Sequence, residues 1–273
     1  MRRSSGIFCA VAFLAATPHA YAGAWTQDQG RALLILSGNY YAADRMWDNF
    51  GRKQSQPSYS KYELNPYMEY GLWEGVTLGT NLSLDRTYQQ GTGGSAAQSN
   101  WGIGDSEFFL RQRLWQGSGF IVSAEPMIKL PSPESGSSQP RLGSSHPDAG
   151  IGLSAGYSFS ALGRNHFVDI DSQYRYRFGS PRDQYKFAAT LGIGFTSRLT
   201  LMPQMFATYR ASPPKIASFT QSASDDYDLT RLQLSAVYQL REDVSLQVGG
   251  FSDISGRNAG IGRGALIALW KRL

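Results

Sequence analysis

Polar and apolar side chains alternate along residues 101–115, which read WGIGDSEFFLRQRLW. The charged side chains share one parity, and most of the apolar ones share the other. The first set is Asp105, Glu107, Arg111 and Arg113, and the second is Phe108, Leu110 and Leu114. Helical spacing would mix the sets, because Phe108 would share a face with Arg111. The segment is therefore predicted to be a strand with one apolar and one charged face, in which Phe109 and Gln112 are the exceptions.

The two-residue period recurs from Arg31 to the C-terminus and marks about twelve strands. They lie near 31–42, 59–72, 76–85, 101–115, 120–130, 149–159, 166–178, 184–195, 199–210, 227–240, 244–253 and 260–272. Most odd-numbered connections are long, and the even-numbered ones, such as 115–119, are short. The long ones are 43–58, 86–100, 131–148 and 211–226. A transmembrane barrel with its long loops outside has this rhythm, whereas a soluble β-sandwich has no reason to keep it.

We therefore predict an all-β fold: a transmembrane antiparallel up-and-down β-barrel of about twelve strands, with periplasmic N- and C-termini. The apolar face of residues 101–115 then contacts lipid, and the charged face lines the lumen. Pro66, Pro126 and Pro203 fall inside predicted strands. Proline cannot donate to a strand ladder, so a bulge or a local bend is expected at each of them.

The N-terminus divides the chain into a leader and a single domain. Residues 1–22 contain a basic start, the apolar run IFCAVAFLAA and the small-x-small sequence Ala20-Tyr21-Ala22. This pattern predicts a secretory signal peptide cleaved after Ala22, since the run is too short to cross a bilayer. Residues 23–30 are expected to form a short periplasmic tail, too short to plug a barrel, and 31–273 to form the transmembrane barrel.

Composition narrows the function classes. The chain of 273 residues has 26 basic and 21 acidic side chains, and cleavage of the leader lowers the net charge of +5 by two. This near balance, without a basic run interleaved with aromatic residues, argues against nucleic-acid binding. Aromatic residues make up 13% of the chain and glycine is abundant, which suits a transmembrane barrel. Cys9, the only cysteine, leaves with the leader, so the mature chain has no disulfide.

The candidate site is a set of charged side chains predicted to line the lumen. The acidic members are Glu63, Glu69, Asp85, Asp105, Glu107, Glu125, Asp169 and Asp171, and the basic members are Lys61, Arg111, Arg113, Lys129, Arg175, Arg177, Lys186, Arg210 and Arg231. They form either a pathway that orders the polar groups of a permeant or a structural network that fills the interior. Because the two signs nearly cancel, a pore would select only weakly between ions. The charges of 166–178 are expected to complement those of 101–115 across the lumen.

The short turn 115–119 predicts a hairpin that arranges some of these charges in pairs. Asp105 is expected opposite Lys129, with Glu107 on a diagonal. Arg111 is expected on a diagonal to Glu125. A slip of one residue would turn all of these charges toward lipid, so the hydrophobic pattern determines which face they occupy.

Catalytic and metal sites were sought and none is predicted. Only His146 and His166 remain after cleavage, one in a loop and one in a periplasmic turn, so neither is placed to activate a nucleophile. The acidic pair Asp225-Asp226 is expected to be a solvated loop feature. The sequence contains no ligand cluster with metal-binding spacing. We expect no enzyme activity and no cofactor.

Three runs resemble the family of outer-membrane MetA-pathway phenol-degradation transporters. They are GIGDSEFFLRQRLW at 102–115, IKLPSPESGSSQPRLGSSHPDAGIGLSAGYSF at 128–159 and DSQYRYRFG at 171–179. The resemblance covers roughly two-thirds of the mature chain, loosely, and it implies a barrel in the envelope more firmly than any substrate. Members of the family typically end in an aromatic residue, whereas this chain ends in LWKRL, which leaves the facing of the last strand open.

The sequence therefore predicts a porin-like channel in the Gram-negative outer membrane that passes small molecules passively. The resemblance implies aromatic or hydrophobic permeants, although the permeant itself is unknown. The alternative is a closed structural or loop-binding barrel without transport. Expected partners are outer-membrane lipid and the outer-membrane assembly machinery, and nucleic acid is not expected.

Overall fold

The computed structural model describes residues 23–91, 96–133, 139–144, 146–179, 181–211 and 226–273. The predicted leader and most of the loop 211–226 lie outside these residues. The strands are β1 (Ala32–Trp47), β2 (Lys53–Trp73), β3 (Val76–Asn81), β4 (Leu84–Gln89), β5 (Gln98–Ile103), β6 (Ser106–Gly117), β7 (Phe120–Leu130), β8 (Asp148–Ala161), β9 (Arg164–Arg177), β10 (Gln184–Gly194), β11 (Leu199–Arg210), β12 (Asp228–Arg241), β13 (Val244–Arg257) and β14 (Ala259–Arg272). No helix in this part of the chain is long and apolar enough to cross a membrane.

The sheet closes on itself, because β1 pairs with both β14 and β2. Two positions in the wall are each shared by two strands. The long β2 pairs with β4 over its earlier residues and with β3 over its later residues, so β3 and β4 together fill one position. β5 pairs with β4 and β6 pairs with β3, so β5 and β6 together fill the next position. The wall therefore has 12 positions, and the prediction of a twelve-stranded up-and-down barrel is confirmed.

The two ends of the barrel carry different connections. One end, termed the turn end, holds the start of β1, the end of β14 and the short connections 74–75, 118–119, 162–163, 195–198 and 242–243. The other, termed the loop end, holds 48–52, 90–97, 131–147, 178–183 and 211–227. The predicted loops 43–58 and 86–100 are shorter than expected, because β1, β2, β4 and β5 continue into them. Outside a bilayer both faces of a strand contact water, so polar residues there need not mark a loop.

A tight turn explains the first of these corrections. The carboxylate of Asp48 accepts hydrogen bonds from the N–H groups of Arg52 and Phe50, at 2.9 and 2.8 Å. These bonds hold the pKa of Asp48 below its ordinary value. They close the chain between β1 and β2, and they place Arg45 opposite Ser55 in a ladder that the sequence pattern had assigned to a loop.

The outer surface of the barrel wall is apolar. Leu234, Ile170 and Leu153 expose 61, 55 and 55% of their surface, and further exposed side chains on the outside are Leu36, Leu64, Leu78, Ile128, Ile151, Leu232, Val248 and Ile267. Aromatic rings such as Trp73, Phe120 and Tyr238 lie near the turn end of this surface. A closed wall with an apolar exterior bounded by aromatic residues is the form of a transmembrane β-barrel.

The segment 101–115 has the predicted faces. Phe108 and Leu114 are exposed on the outside, whereas Arg111 is 4% exposed and lies inside. Phe109, an exception to the pattern, also points inward and stacks on Tyr67 with ring centroids 5.9 Å apart. An apolar group can occupy this position because the interior contains rings as well as charges.

The hairpin of β6 and β7 differs from the prediction by two residues, a shift that preserves the faces. Glu107 lies opposite Lys129, and the register places Arg111 level with Glu125. Asp105 takes the diagonal position and still reaches Lys129 at 3.4 Å. The difference arises because the turn is the tight pair 118–119, next to a bulge between Arg113 and Trp115.

The three strand prolines interrupt hydrogen bonding without shifting the register. Pro66, Pro126 and Pro203 are each paired regularly with a residue of one neighbouring strand. The ladder to the other neighbour breaks at each of them and resumes in the same register. No bulge is therefore present at these three prolines, because a missing N–H affects only the side to which it would have donated, and the alternative of a local bend stays a prediction.

The apolar exterior gives a direct test of the lipid-facing assignment. Leu234→Arg near the middle of β12 should lower the free energy of unfolding in lipid bilayers by about 2–4 kcal/mol, because it places a cation in hydrocarbon. Leu162→Arg is the matched control, since Leu162 is 99% exposed in a turn outside the wall, and it should change little. Denaturant titration of the protein folded in vesicles measures both. Equal costs would contradict the assignment.

Candidate permeation pathway in the barrel interior

The segment that precedes β1 lies inside the barrel, not in the periplasm as a free tail. It enters beside Gly71, where the N–H of Gly30 donates to the carbonyl of Gly71 at 2.9 Å. Gly71 leaves the necessary space, because a Cβ there would lie 2.0 Å from the carbonyl oxygen of Asp28. The segment then crosses the interior to β9, where the N–H of Ala24 donates to Asp169 at 2.9 Å. Residues 23–30 therefore occupy part of the lumen, which corrects the predicted tail.

Side chains of the wall hold this segment along its length. Ser123 donates to the carbonyl of Ala24 at 2.6 Å, and Arg111 donates to the carbonyl of Trp25 at 3.0 Å. The N–H of Gln27 donates to Thr77 at 2.7 Å. Ala24 has no exposed surface. The backbone of the segment is thus held by side chains of β3, β6, β7 and β9 and by the carbonyl of Gly71 in β2.

Arg111 is the centre of a charge cluster next to this segment. Its guanidinium contacts Glu69 at 2.6 Å and Glu125 at 2.8 Å, and Glu69 has no exposed surface. Glu69 also accepts hydrogen bonds from Tyr67 and from the side chain of Gln27. A buried charge needs such compensation, because desolvation of an unpaired ion is costly. The cluster links β2, β6 and β7 to the N-terminal segment.

A second cluster lies toward the loop end and crosses the lumen. Arg175 of β9 forms a bidentate pair with Glu107 of β6, and two strands, β7 and β8, lie between them in the wall. The predicted complementarity between these two strands is therefore confirmed. Lys129 contacts Asp148 at 2.9 Å, and Arg177 contacts the same carboxylate at 3.5 Å.

Lys186 lies in the same region as this second cluster. It lines a cavity of about 310 Å³ together with Arg175, Lys129 and Asp148. The predicted cations of β7, β9 and β10 are thus brought together at the loop end of the interior.

The loop after β7 folds inward over this cluster. The N–H groups of Ser132 and Ser144 both donate to Asp105 at 3.0 Å. Lys61 contacts Glu63 at 2.7 Å and Asp85 at 3.0 Å, and it donates to the carbonyl of Leu142 at 3.3 Å. The interior is therefore narrowed from the loop end by residues 139–144 as well as from the turn end by residues 23–30.

The remaining predicted cations form separate pairs. Arg231 contacts Asp253 at 2.7 Å, and its guanidinium lies 4.1 Å from the ring centroid of Phe251. Arg210 contacts Asp228 at 3.1 Å near the loop end.

Arg113 lies at the opposite edge of the wall. It contacts Glu74 at 3.0 Å on the rim of the turn end, and it is partly exposed there. Arg113 therefore lies at the rim of the barrel, whereas most of the other charged side chains predicted to line the lumen lie farther inside.

A largely uncharged wall faces the clusters. Gln233 donates to Gln204 at 2.8 Å, and Gln204 donates to Thr190 at 3.2 Å. These three side chains line a cavity of about 450 Å³ between the N-terminal segment and β10–β14. Its other lining side chains include Asn39, Asn65, Tyr67, Phe167, Phe206 and Trp270. The cavity thus combines amides with aromatic rings, and Asp169 and Asp171 lie on one side of it.

Some interior residues were missed by the sequence reasoning. Asp148 was placed at the end of a loop, and Asp253 follows the strand parity that would have identified it as inward-facing. Trp270 of the last strand, whose facing was left open, lies inside and donates to Gln247 at 3.1 Å. It packs with Leu33 and Ile35 in a buried apolar cluster at the turn end.

The residues considered for catalysis do not form a site. His166 lies 3.1 Å from the carbonyl of Ala161 and stacks on Phe159. Asp226 contacts Arg182 at 3.2 Å, and Asp225 lies outside the described residues. Over the described ranges, no group of three His, Cys, Asp or Glu side chains could hold a metal ion.

Comparisons with known proteins agree with this fold. No protein-family model and no curated protein match the chain. Among solved structures, the COG4313 outer membrane channel from Pseudomonas putida F1 superposes with a TM-score of 0.75 at 14% identity, over 94% of this chain and 100% of that one. The NanC porin superposes with a TM-score of 0.52 at 9% identity, over 88% of this chain and 100% of that one. At these identities the likeness concerns the fold alone, which is that of an outer-membrane β-barrel.

Proposed function

We propose that this protein is a channel of the Gram-negative outer membrane that passes small, mainly uncharged molecules passively. The single observation that carries the proposal is the cavity of about 450 Å³ between the N-terminal segment and β10–β14. A barrel of eight strands is filled by its own side chains, whereas wider barrels enclose cavities or channels. Twelve wall positions leave room for a path beside the segment, and the two similar folds belong to a channel and a porin.

The lining supports a class of permeant. Amides such as Gln204 and Gln233 offer donors and acceptors, while Phe167, Phe206 and Trp270 offer apolar faces. Binding sites for small organic molecules combine apolar rings with a few polar groups in this way. The aromatic or hydrophobic permeants implied by the sequence resemblance fit such a lining better than ions do, because most charged groups are engaged with each other.

A closed barrel without transport is the second candidate. The observation that favours it is the narrowing of the interior from both ends, by residues 23–30 and by residues 139–144. The two candidates differ in whether solutes cross. Single-channel recording of the purified mature protein in planar bilayers tests the proposal, and absence of conductance in both the wild type and the deletion variant described next would refute it.

Deletion of residues 24–29 should raise the single-channel conductance several-fold. These residues cross the lumen and restrict the path to one side of the barrel. The unheated protein should retain its compact migration on gels, which checks that the barrel assembles. Equal conductance with and without the segment would show that the path does not run past it.

Gln204→Trp should lower the conductance, because the larger side chain projects into the cavity of about 450 Å³. Met205→Trp is the matched control. Met205 is the next residue of β11, lies on the outer surface and is 42% exposed, so its substitution should leave the conductance unchanged. An effect of similar size in both variants would place the path elsewhere.

Any current should select only weakly between cations and anions. The charges of the interior are mostly paired at short distance, as in Arg231–Asp253 at 2.7 Å and Lys61–Glu63 at 2.7 Å. Paired charges offer little net field to a passing ion. Reversal potentials under a salt gradient measure the selectivity, and a strong preference for either sign would contradict the pairing.

A further inference from the structure

Cleavage of the leader changes the chemistry of Gly23. Hydrolysis of the peptide bond after Ala22 consumes one water molecule and leaves a carboxylate on Ala22 and an α-ammonium group on Gly23. An α-amino group ordinarily titrates near pH 8, so it is mostly a cation at neutral pH. In the uncleaved chain the same nitrogen belongs to a neutral amide. Processing therefore creates a positive charge at one defined position of the chain.

Gly23 lies deep in the barrel interior, against a carboxylate. A Cβ built on Gly23 would lie 2.2 Å from Oδ1 and 2.4 Å from Oδ2 of Asp169, so a side chain has no room there. The following residue, Ala24, already donates its N–H to Oδ2 of Asp169 at 2.9 Å. Gly23 and Asp171 both line the cavity of about 320 Å³ that also contains Arg111. The new ammonium group is thus formed next to Asp169, in a cavity that Asp171 also lines.

Carboxylates outnumber cations at this place. Four carboxylates lie near Arg111, namely Glu69, Glu125, Asp169 and Asp171. Arg111 forms ion pairs with the first two only. Asp169 is 2% exposed, and neither Asp169 nor Asp171 forms an ion pair with a side chain of the described residues. Lys129 and Arg175 of the second cluster pair with Asp105, Asp148 and Glu107. Lys186 lines the same cavity as Asp171 but forms no ion pair with it or with any other carboxylate of the described residues.

We propose that Asp169 and Asp171 form a binding site for the α-ammonium group of the mature N-terminus. Removal of the leader supplies the cation that balances the two carboxylates, and the resulting ion pair anchors the end of the segment that crosses the lumen. The N–H of Ala24 and the ammonium group of Gly23 then share the Asp169 carboxylate as donors. Docking of the segment is therefore coupled to processing, since the unprocessed chain presents no charge at this position.

The rate at which the α-amine reacts with an amine-directed reagent at neutral pH tests the proposal. The full mature protein is isolated from outer membranes, and the labelled N-terminal peptide is quantified by mass spectrometry. In the wild type the peptide should begin at Gly23 and react slowly. In Asp169→Asn/Asp171→Asn the rate should rise about tenfold, equivalent to about 1.4 kcal/mol of lost ion pairing. Asp44→Asn, which changes a carboxylate that is 76% exposed, should react like the wild type.

A second variant leaves the barrel wall unchanged. Insertion of one alanine between Ala22 and Gly23 retains both aspartates and the cleavage sequence but moves the ammonium group away from them. It should also react about tenfold faster than the wild type. Compact migration of the unheated protein shows that each variant has folded. A mature N-terminus at another residue, or equal rates in the wild type and both variants, would overturn the proposal. Conductance does not enter this test, so its outcome is independent of the channel function.

Discussion

Closure of the strand ladder in a lipid environment is the constraint on which the rest of this structure depends. Backbone N–H and C=O groups find no water in hydrocarbon, so every wall strand must pair on both sides, as β1 does with β14 and β2. Once the wall is closed, side chains alternate between lipid and lumen. The parity of a residue then determines its surroundings, and charges such as Arg111 are directed inward.

Because the closed wall directs charged side chains inward, the barrel interior has to stabilise them. Inward charges are partly removed from water, so each needs a partner, and partners come from strands that are not neighbours. The Glu107–Arg175 pair joins β6 to β9. The N-terminal segment takes part in the same way, because Arg111 and Ser123 bind its carbonyl groups. The network that holds the interior together also narrows it, and the remaining cavity lies along the uncharged side chains of β10–β12.

The alternation of polar and apolar residues predicted the features that depend on neighbouring residues in the chain. Alternation around Phe108 and Arg111 was sufficient to assign a strand with two distinct faces. The barrel, and with it the face that contacts lipid, was assigned from the alternation of long and short connections. The register between β6 and β7 was predicted less well, since it depends on the turn at 118–119 and on the bulge beyond Arg113. The sequence pattern does not show whether a turn or a bulge contains one residue more or fewer. At the prolines the sequence did not distinguish a bulge from a break in the ladder that keeps the register.

Non-local features could not be predicted from the pattern. Residues 23–30 have no periodicity, and their place inside the barrel depends on partners as distant in the chain as Asp169. Amides such as Gln204 line the cavity, although without charge they had attracted no attention as functional candidates. The inward position of residues 139–144 was also not predicted, because it depends on contacts with Lys61 and Asp105, which are distant from them in the chain.

We propose a continuous aqueous path along the uncharged wall. The single cysteine of the sequence is Cys9, which lies in the predicted leader, so Gln204→Cys in a chain that begins at Gly23 provides a unique thiol. The decisive measurement is modification of that thiol by a membrane-impermeant reagent added to either side of a planar bilayer. We expect the reagent to react from each side and to change the current. Reaction from one side only, or from neither, would contradict it.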